Sequence, residues 1–257
     1  AYLGWRHHCD EGIVMGLASY GNPHNPIPGD GRSYYTVFEN ILEETGDYDY
    51  CVNRDWIAYH QVRNKWVSEK FCTVFGRRRE PEGRLNQCHM DLAAALQLRL
   101  ETVVLAQLRR AREEFSQTKL CLSGGVALNC SLNGKIESSG MFDEIFVQPA
   151  SGDSGTAIGA CYLSAINLKK NLKPSKWGSY YLGSSFTSDE IEQQLKNLKI
   201  KYTKDENIAK NIAKQLANQR IIGWFQGGAE FGPRALGNRS ILTAPFPKEM
   251  KDILNSK

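Results

Sequence analysis

Apolar side chains recur every three or four positions between His89 and Phe115: Ala93, Leu96, Leu100, Val104, Leu108, Ala111 and Phe115. That spacing stacks them on one face of a helix, so a long amphipathic helix is expected over about 89–115. After it the pattern changes. "KLCLS", from Lys119, is short and apolar enough for a buried strand, and "GGVALN" turns it into a helix. "DEIFVQP" reads as a second strand, and "GDSGTAIGACYLSAINL" opens a second helix after another glycine turn. Strand, glycine turn and helix, twice in succession, is an α/β layout. Upstream, "EGIVMGLASYG" is a short apolar segment leading into a loop of Gly, Pro, Asn and Asp. Between Tyr34 and Gly83 the chain is aromatic and without a period, and no element is assigned there.

From Leu168 to Ser179 the composition shifts to Lys, Pro, Ser and Gly ("KKNLKPSKWGS"), which suggests a boundary between a domain over 1–177 and another over 178–257. Beyond it we expect a strand near Tyr180, a helix from about Asp189 to Asn197 and a strand at "IKYT". A helix carrying Ile208, Ile212 and Leu216 and the strand "RIIGWF" follow. Again α and β alternate.

The 257 residues are 41% hydrophobic and 23% charged, ordinary globular composition with room for one large and one small domain. No run approaches the roughly 18 apolar residues of a membrane helix, and the aromatic, polar start "AYLGWRHHCDEG" is no signal peptide. The net charge of +4 is dispersed except in "GRRREPEGR", a glycine- and proline-containing stretch that reads as a solvated loop and not as a nucleic-acid stripe. Seven cysteines lie in apolar runs such as "KLCLS" and "IGACYL", the pattern of buried, reduced thiols in a cytoplasmic protein. The five histidines show no metal-ligand spacing.

Three stretches carry chemistry. In "CLSGGVALNCSLNGKI", Gly124 and Gly125 end the first strand. Without Cβ atoms there, a flat ligand or a phosphate can lie on the backbone, and the following helix N-terminus favours negative charge. The alternative is a tight turn that needs a positive φ. In "PASGDSGTAIGAC", Asp153 precedes a helix and could simply cap it. Neighbouring strands of an open α/β sheet, however, deliver their ends to a common rim where ligands collect. A carboxylate on that rim suits a metal ion or a ribose hydroxyl. Gly155 and Gly159, four apart, read as small residues that let the helix pack closely. In "EFGPRALGNRS" the guanidinium forks of Arg234 and Arg239 fit phosphate or carboxylate. The alternative is a pair of structural salt bridges, with Glu230 as one partner.

Taken in order, "EGIVMGLASYG", "CLSGGVALNCSLNGKI", "VQPASGDSGTAIGAC" and "GWFQGGAEFGPRALGNRSIL" resemble the NodU/CmcH family of O-carbamoyltransferases over most of the chain. The resemblance implies the second half of a domain with the ASKHA fold (actin, sugar kinase and heat-shock ATPase; ribonuclease-H-like) over 1–177, then the start of a YrdC-like α/β domain over 178–257. It implies that carbamoyl phosphate and ATP give carbamoyl-adenylate, whose carbamoyl group passes to a hydroxyl of a small-molecule acceptor. Arg234 and Arg239 would be catalytic, facing carbamoyl phosphate or the phosphates of ATP. Gly124, Gly125, Val126 and Asn129 would cradle the nucleotide, with Glu11 a candidate for a ribose hydroxyl. Asp153 would be a ligand to a divalent metal ion, iron or similar, whose remaining ligands are a histidine pair in the family's first half, outside this chain.

Two departures stand out: Ile13 where the family has Lys, and Ser19 where it has Pro. The family continues past "KDILNSK" into a basic stretch, so this chain is expected to be an internal fragment, inactive alone. Two other readings remain: the related tRNA threonylcarbamoyl machinery, and a nucleotide-binding module without chemistry.

Overall fold

A computed structural model describes residues 1–46, 48–168 and 178–255. The chain forms two compact units, one of Ala1–Leu122 with Asn129–Phe146, the other of Ser123–Leu128 with Val147–Lys257. The architecture is mixed α/β.

In the first unit α1 (Glu11–Ala18), α2 (Tyr34–Ile41), the antiparallel hairpin β1 (Leu42–Glu44) and β2 (Tyr50–Val52), and α3 (Glu69–Phe75) precede the long helix α4 (Gln87–Phe115). Then come β3 (Lys119–Leu122), α5 (Cys130–Ser138) and β4 (Glu144–Val147), with β3 and β4 paired. The stretch without a readable period supplies much of the core. Tyr34, Val37, Phe38, Ile41, Trp56 and Phe71 pack with Tyr2, Leu3, Leu17, Leu92, Ala93 and Ala95. Its helices are too short to show a period, at eight and seven residues, and are started by Ser33 and Ser68, which accept from Thr36 N and Phe71 N.

The expected helix is α4, opened by a capping box between Asn86 and His89. Its buried face differs from the expected one. Leu92, Ala95, Arg99 and Val103 are buried, whereas Leu96 and Phe115 are 42% and 59% exposed. The neighbours decide this: α1 and α2 both pack on α4, where Ala93, Ala94 and Ala95 permit close approach. Gly21, just after α1, has no room for a side chain, since a Cβ there would lie 2.0 Å from the Met90 carbonyl oxygen.

Polar groups buried on α4 are fully engaged. Arg99 donates to the Leu42 carbonyl (2.8 Å) and pairs with Glu44 (3.2 Å), tying the helix to the hairpin. Glu101 accepts from Gln97 (2.7 Å) and pairs with Lys135 of α5. Asp91, 3% exposed, accepts from Asn22 N (2.7 Å), Asn25 Nδ2 (2.9 Å) and Gln87 Nε2 (2.8 Å), and so fixes the loop after α1.

The second unit contains a 3-10 turn at Gly125–Leu128, another at Asp153–Gly155, and helices α6 (Thr156–Asn167), α7 (Ser188–Asn197) and α8 (Ile208–Ala217). The antiparallel pair β5 (Ile222–Phe225) and β6 (Arg239–Leu242) and helix α9 (Met250–Asn255) complete it. Among the described residues, "KLCLS" and "RIIGWF" therefore lie in different sheets. Most of the composition shift, 169–177, lies outside the described residues.

Two expected strands are absent. The segment near Tyr180 runs along the 229–231 loop without forming a strand, through Phe231 N to Tyr180 O (2.7 Å), Gly183 N to Ala229 O (3.0 Å) and Ala229 N to Ser184 O (3.0 Å). "IKYT" pairs with no strand; Tyr202 instead donates to Glu192 (2.7 Å).

The cysteines also depart from expectation. Cys9, Cys51, Cys121, Cys130 and Cys161 are exposed and Cys72 and Cys88 half-buried, all as free thiols. Cys121 is on the open side of a two-stranded sheet, and Cys161 is on α6, which has no buried residue. Among the described residues no helix is long and apolar enough to cross a membrane.

The Asp91 arrangement generates a prediction. Asp91→Ala strands three buried donors, at a cost of about 3 kcal/mol, which lowers the melting temperature by about 5–12 °C. A thermal melt followed by circular dichroism measures it; an unchanged melting temperature would show that the loop does not depend on this carboxylate.

Candidate functional site

The three stretches singled out in the sequence meet within the second unit. Gly124, at φ +94°, turns the chain back after β3, and its N–H donates to the Ser151 carbonyl (2.8 Å), tying the first glycine turn to the second. Between these turns and α6 lies a cavity of about 500 Å³, lined by Ser123 and Gly124 from the first, Gln148, Ser151 and Asp153 from the second, and Ile158, Gly159 and Tyr162 from α6. Cβ atoms added at Gly124 or Gly159 would meet no atom within 4 Å, so these glycines face open space. Gly155 differs: a Cβ there would lie 2.1 Å from the Ala150 carbonyl oxygen, so this glycine is the one that close packing requires.

Asp153 does not cap α6. It opens the 3-10 turn before that helix, its carbonyl accepts from Thr156 Oγ1 (2.6 Å), and its exposed carboxylate has no hydrogen-bond partner among the described residues. Gly124 and Asp153 thus share one rim, as the pairing of β3 with β4 implied. Gly125 and Val126 are in the 3-10 turn and do not line the cavity; Val126 is 53% exposed.

Asn129 is the N-cap of α5. Its Oδ1 accepts from Leu132 N (3.0 Å), and its amide is paired reciprocally with Gln97 (2.8 and 3.1 Å), which leaves it engaged within the first unit. Glu11, also in the first unit, accepts from His8 N (2.6 Å).

The loop from Glu230 to Arg239 is organised around backbone groups. Glu230 Oε1 accepts from Leu236 N (2.9 Å), Asn238 N (2.8 Å) and Arg239 N (3.0 Å), and backbone donors of this kind, Leu236 N foremost, hold its carboxyl down at about 2. Gly232, at φ +104°, lies so close to the second glycine turn that a Cβ would be 2.1 Å from the Pro149 carbonyl oxygen. Arg234 directs Nε (3.1 Å) and Nη2 onto the Leu128 carbonyl, at the end of the first turn.

Arg239, on β6, donates through Nη1 to the Gln226 (2.7 Å) and Asn238 (2.9 Å) carbonyls. Its Nη2 donates to those of Ser184 and Gly227 (both 3.1 Å), and the guanidinium stacks 3.6 Å over the Phe225 ring. The salt-bridge alternative is therefore corrected: neither arginine pairs with Glu230. Their partners are carbonyl oxygens, and Glu230 serves amides.

Sequence reading missed Ser151 and Gln148, which flank Asp153 in the cavity wall, and Asn238. The latter is 5% exposed and bridges Gln226 Nε2 (3.1 Å) to the Gly228 carbonyl (2.8 Å). Their only signal was membership of the quoted motifs. Among the described residues no three His, Cys, Asp or Glu side chains are grouped to hold a metal ion, so Asp153 by itself makes no metal site.

Comparison with known proteins agrees with this geometry. The family model described as "Carbamoyltransferase N-terminus" matches residues 1–162, and the one described as "Carbamoyltransferase C-terminus" matches 213–257. The chain is 39% identical over 250 residues to nodulation protein NolO of Bradyrhizobium diazoefficiens, covering 96% of this chain and 42% of the relative. It is 38% identical over 258 residues to nodulation protein NolNO of Sinorhizobium fredii, covering 99% and 35%. An uncharacterized protein of Synechocystis sp. is 38% identical over 267 residues, covering 100% and 42%. The chain thus spans about two fifths of the length of the relatives it matches.

Glu230 makes the loop pH-sensitive. Its folded pKa lies below the usual 4.5, so its stabilisation is fully present above that value and is lost as pH falls toward about 2. Hydrogen exchange at the Leu236, Asn238 and Arg239 amides should accelerate, relative to the intrinsic rate, as pH drops through this window. In Glu230→Gln the same amides should show no such pH step; equal pH profiles in the two proteins would contradict the assignment.

Proposed function

Because the chain belongs to the carbamoyltransferase family, we propose that it works in an ATP-dependent O-carbamoyltransferase. Carbamoyl phosphate and ATP give carbamoyl-adenylate, and the carbamoyl group then passes to a hydroxyl of a small-molecule acceptor. The atoms balance when water releases phosphate from carbamoyl phosphate and the resulting carbamate displaces pyrophosphate from the α-phosphorus of ATP. In the second step the acceptor oxygen attacks the carbamoyl carbon, loses its proton to a base, and AMP departs. In this reading the first unit and the two glycine turns come from an ASKHA-like domain, and the stretch from 178 opens a YrdC-like one.

The observation that carries the proposal is the meeting of both glycine turns and the Glu230–Arg239 loop at one cavity-bearing region. Cβ-free backbone at Gly124 and Gly159 makes a surface against which a flat ring can lie. Arg234 keeps Nη1 and one Nη2 hydrogen uncommitted among the described residues, and these suit an anion beside the Leu128 turn. Arg239 has both Nη groups on four carbonyls, so its part is to position the loop. The family resemblance would place a divalent ion at Asp153, but the chain's own residues do not complete such a site, and no step is derived through it.

Protein made at full family length should release pyrophosphate from ATP only when carbamoyl phosphate is present. Arg234→Ala should lower that rate by about tenfold to a thousandfold, the range for removing one preorganised donor, and Arg234→Lys should recover little of it. Arg239→Ala should chiefly lower the melting temperature. Unchanged release in Arg234→Ala with a lowered melting temperature would show a loop brace and no anion contact. For the metal, elemental analysis of the present chain should find a divalent ion only in substoichiometric amount; tight equimolar metal would contradict the isolation of Asp153.

A further inference from the structure

Two polar atoms in the wall of the cavity have no partner. Ser151 is 4% exposed, and its Oγ is sealed from solvent without a hydrogen bond to any described residue. Gln148 Oε1 is in the same state. Both residues line the cavity beside Asp153. Their backbone is held: the Ser151 carbonyl takes the Gly124 N–H (2.8 Å), and Gly155 sits where any Cβ would strike the Ala150 carbonyl, 3.4 Å from Gln148 Nε2. Buried polar atoms are nearly always paired, because leaving one unmade forfeits its hydration. Two such atoms side by side in a cavity wall point to contact with a ligand.

The chemistry of the wall narrows that ligand. Gln148 Oε1 can only accept, an ionised Asp153 can only accept, and Ser151 Oγ can accept or donate. The Gly124 N–H, which could have offered a donor, is already used by Ser151 O. Acceptors thus outnumber donors, while Ile158 and Tyr162 are apolar flanks and the glycines leave space for a flat group. The geometry points to a planar amine, an NH₂ group on an sp² carbon, as the group that Gln148 and Ser151 recognise, which makes these two residues specificity determinants of the cavity. The inference rests on the function proposed above, which supplies two such groups: the exocyclic amine of adenine and the amine of the carbamoyl group.

Binding is measured by calorimetry on protein of full family length, with two pairs of probes. ATP and ITP differ at the purine amine, which is a carbonyl in ITP. Carbamoyl phosphate and acetyl phosphate differ in that a methyl group replaces the amine. The amine-bearing member of one pair should bind at least about tenfold tighter, the weight of one net hydrogen bond, and the pair that discriminates identifies the source. Ser151→Ala and Gln148→Leu should each bring that ratio toward one. The unliganded Ser151→Ala protein should melt at the same or a higher temperature, since its hydroxyl makes no bond to lose, which separates lost recognition from lost folding. Wild-type protein that binds ATP and carbamoyl phosphate without preference in either pair would overturn this inference and leave the proposed function standing. A ratio unmoved in both variants would do the same. Failure to bind any of the four probes would overturn both.

Discussion

The grip of Arg234 on the Leu128 carbonyl, seconded by the contact of Gly232 with the Pro149 carbonyl, is the constraint on which the candidate site depends. One residue seizes the first glycine turn, the other lies against the second, and both belong to a single loop. The loop could not reach these turns with a side chain at position 232, because both the positive φ and the 2.1 Å approach exclude one. Glu230 completes the constraint by gathering three amides of the same loop onto one carboxylate oxygen. The attachments are therefore mostly to main chain, whose positions vary far less than those of long side chains. A loop held that way can keep Arg234 oriented before any ligand arrives, which is the condition for electrostatic preorganisation.

This arrangement separates two arginines that residue type alone could not tell apart. Arg239 is locked by four carbonyls and a ring face, a bracing role. Arg234 braces with one edge of its fork and keeps the other open. The same division runs through the glycines: Gly155 and Gly232 are there for packing, Gly124 and Gly159 leave surface free. Asp153, without a capping role, is the corresponding free carboxylate.

Much of the fold was legible where a period or a glycine turn stood in the sequence. The 29-residue α4, the strand–turn–helix passages around Gly124 and Asp153, and the helix bearing Ile208, Ile212 and Leu216 were all readable. The aromatic core between Tyr34 and Phe75 was not, because its helices make barely two turns. The buried face of α4 was misjudged because neighbouring helices, not the densest apolar row, decide what is covered. Strands at Tyr180 and Ile200 were expected from composition but have no strand partner, whereas β6 hid within "GNRSIL" and exists because it pairs with β5. At the site, the shared rim of Gly124 and Asp153 followed from strand pairing. The carbonyl partners of the arginines did not, since any residue carries a carbonyl and none leaves a mark in the sequence.

The central claim is that the two glycine turns and the arginine loop form one ligand-responsive unit. Amide and guanidinium NMR shifts, recorded while a non-hydrolysable ATP analogue is titrated into labelled protein of full family length, test it most directly. The account predicts that the Gly124, Ser151, Asp153 and Gly155 amides and the Arg234 Nε–H shift together along one binding curve. Saturation by the analogue with these resonances unmoved, or moving along unrelated curves, would contradict it.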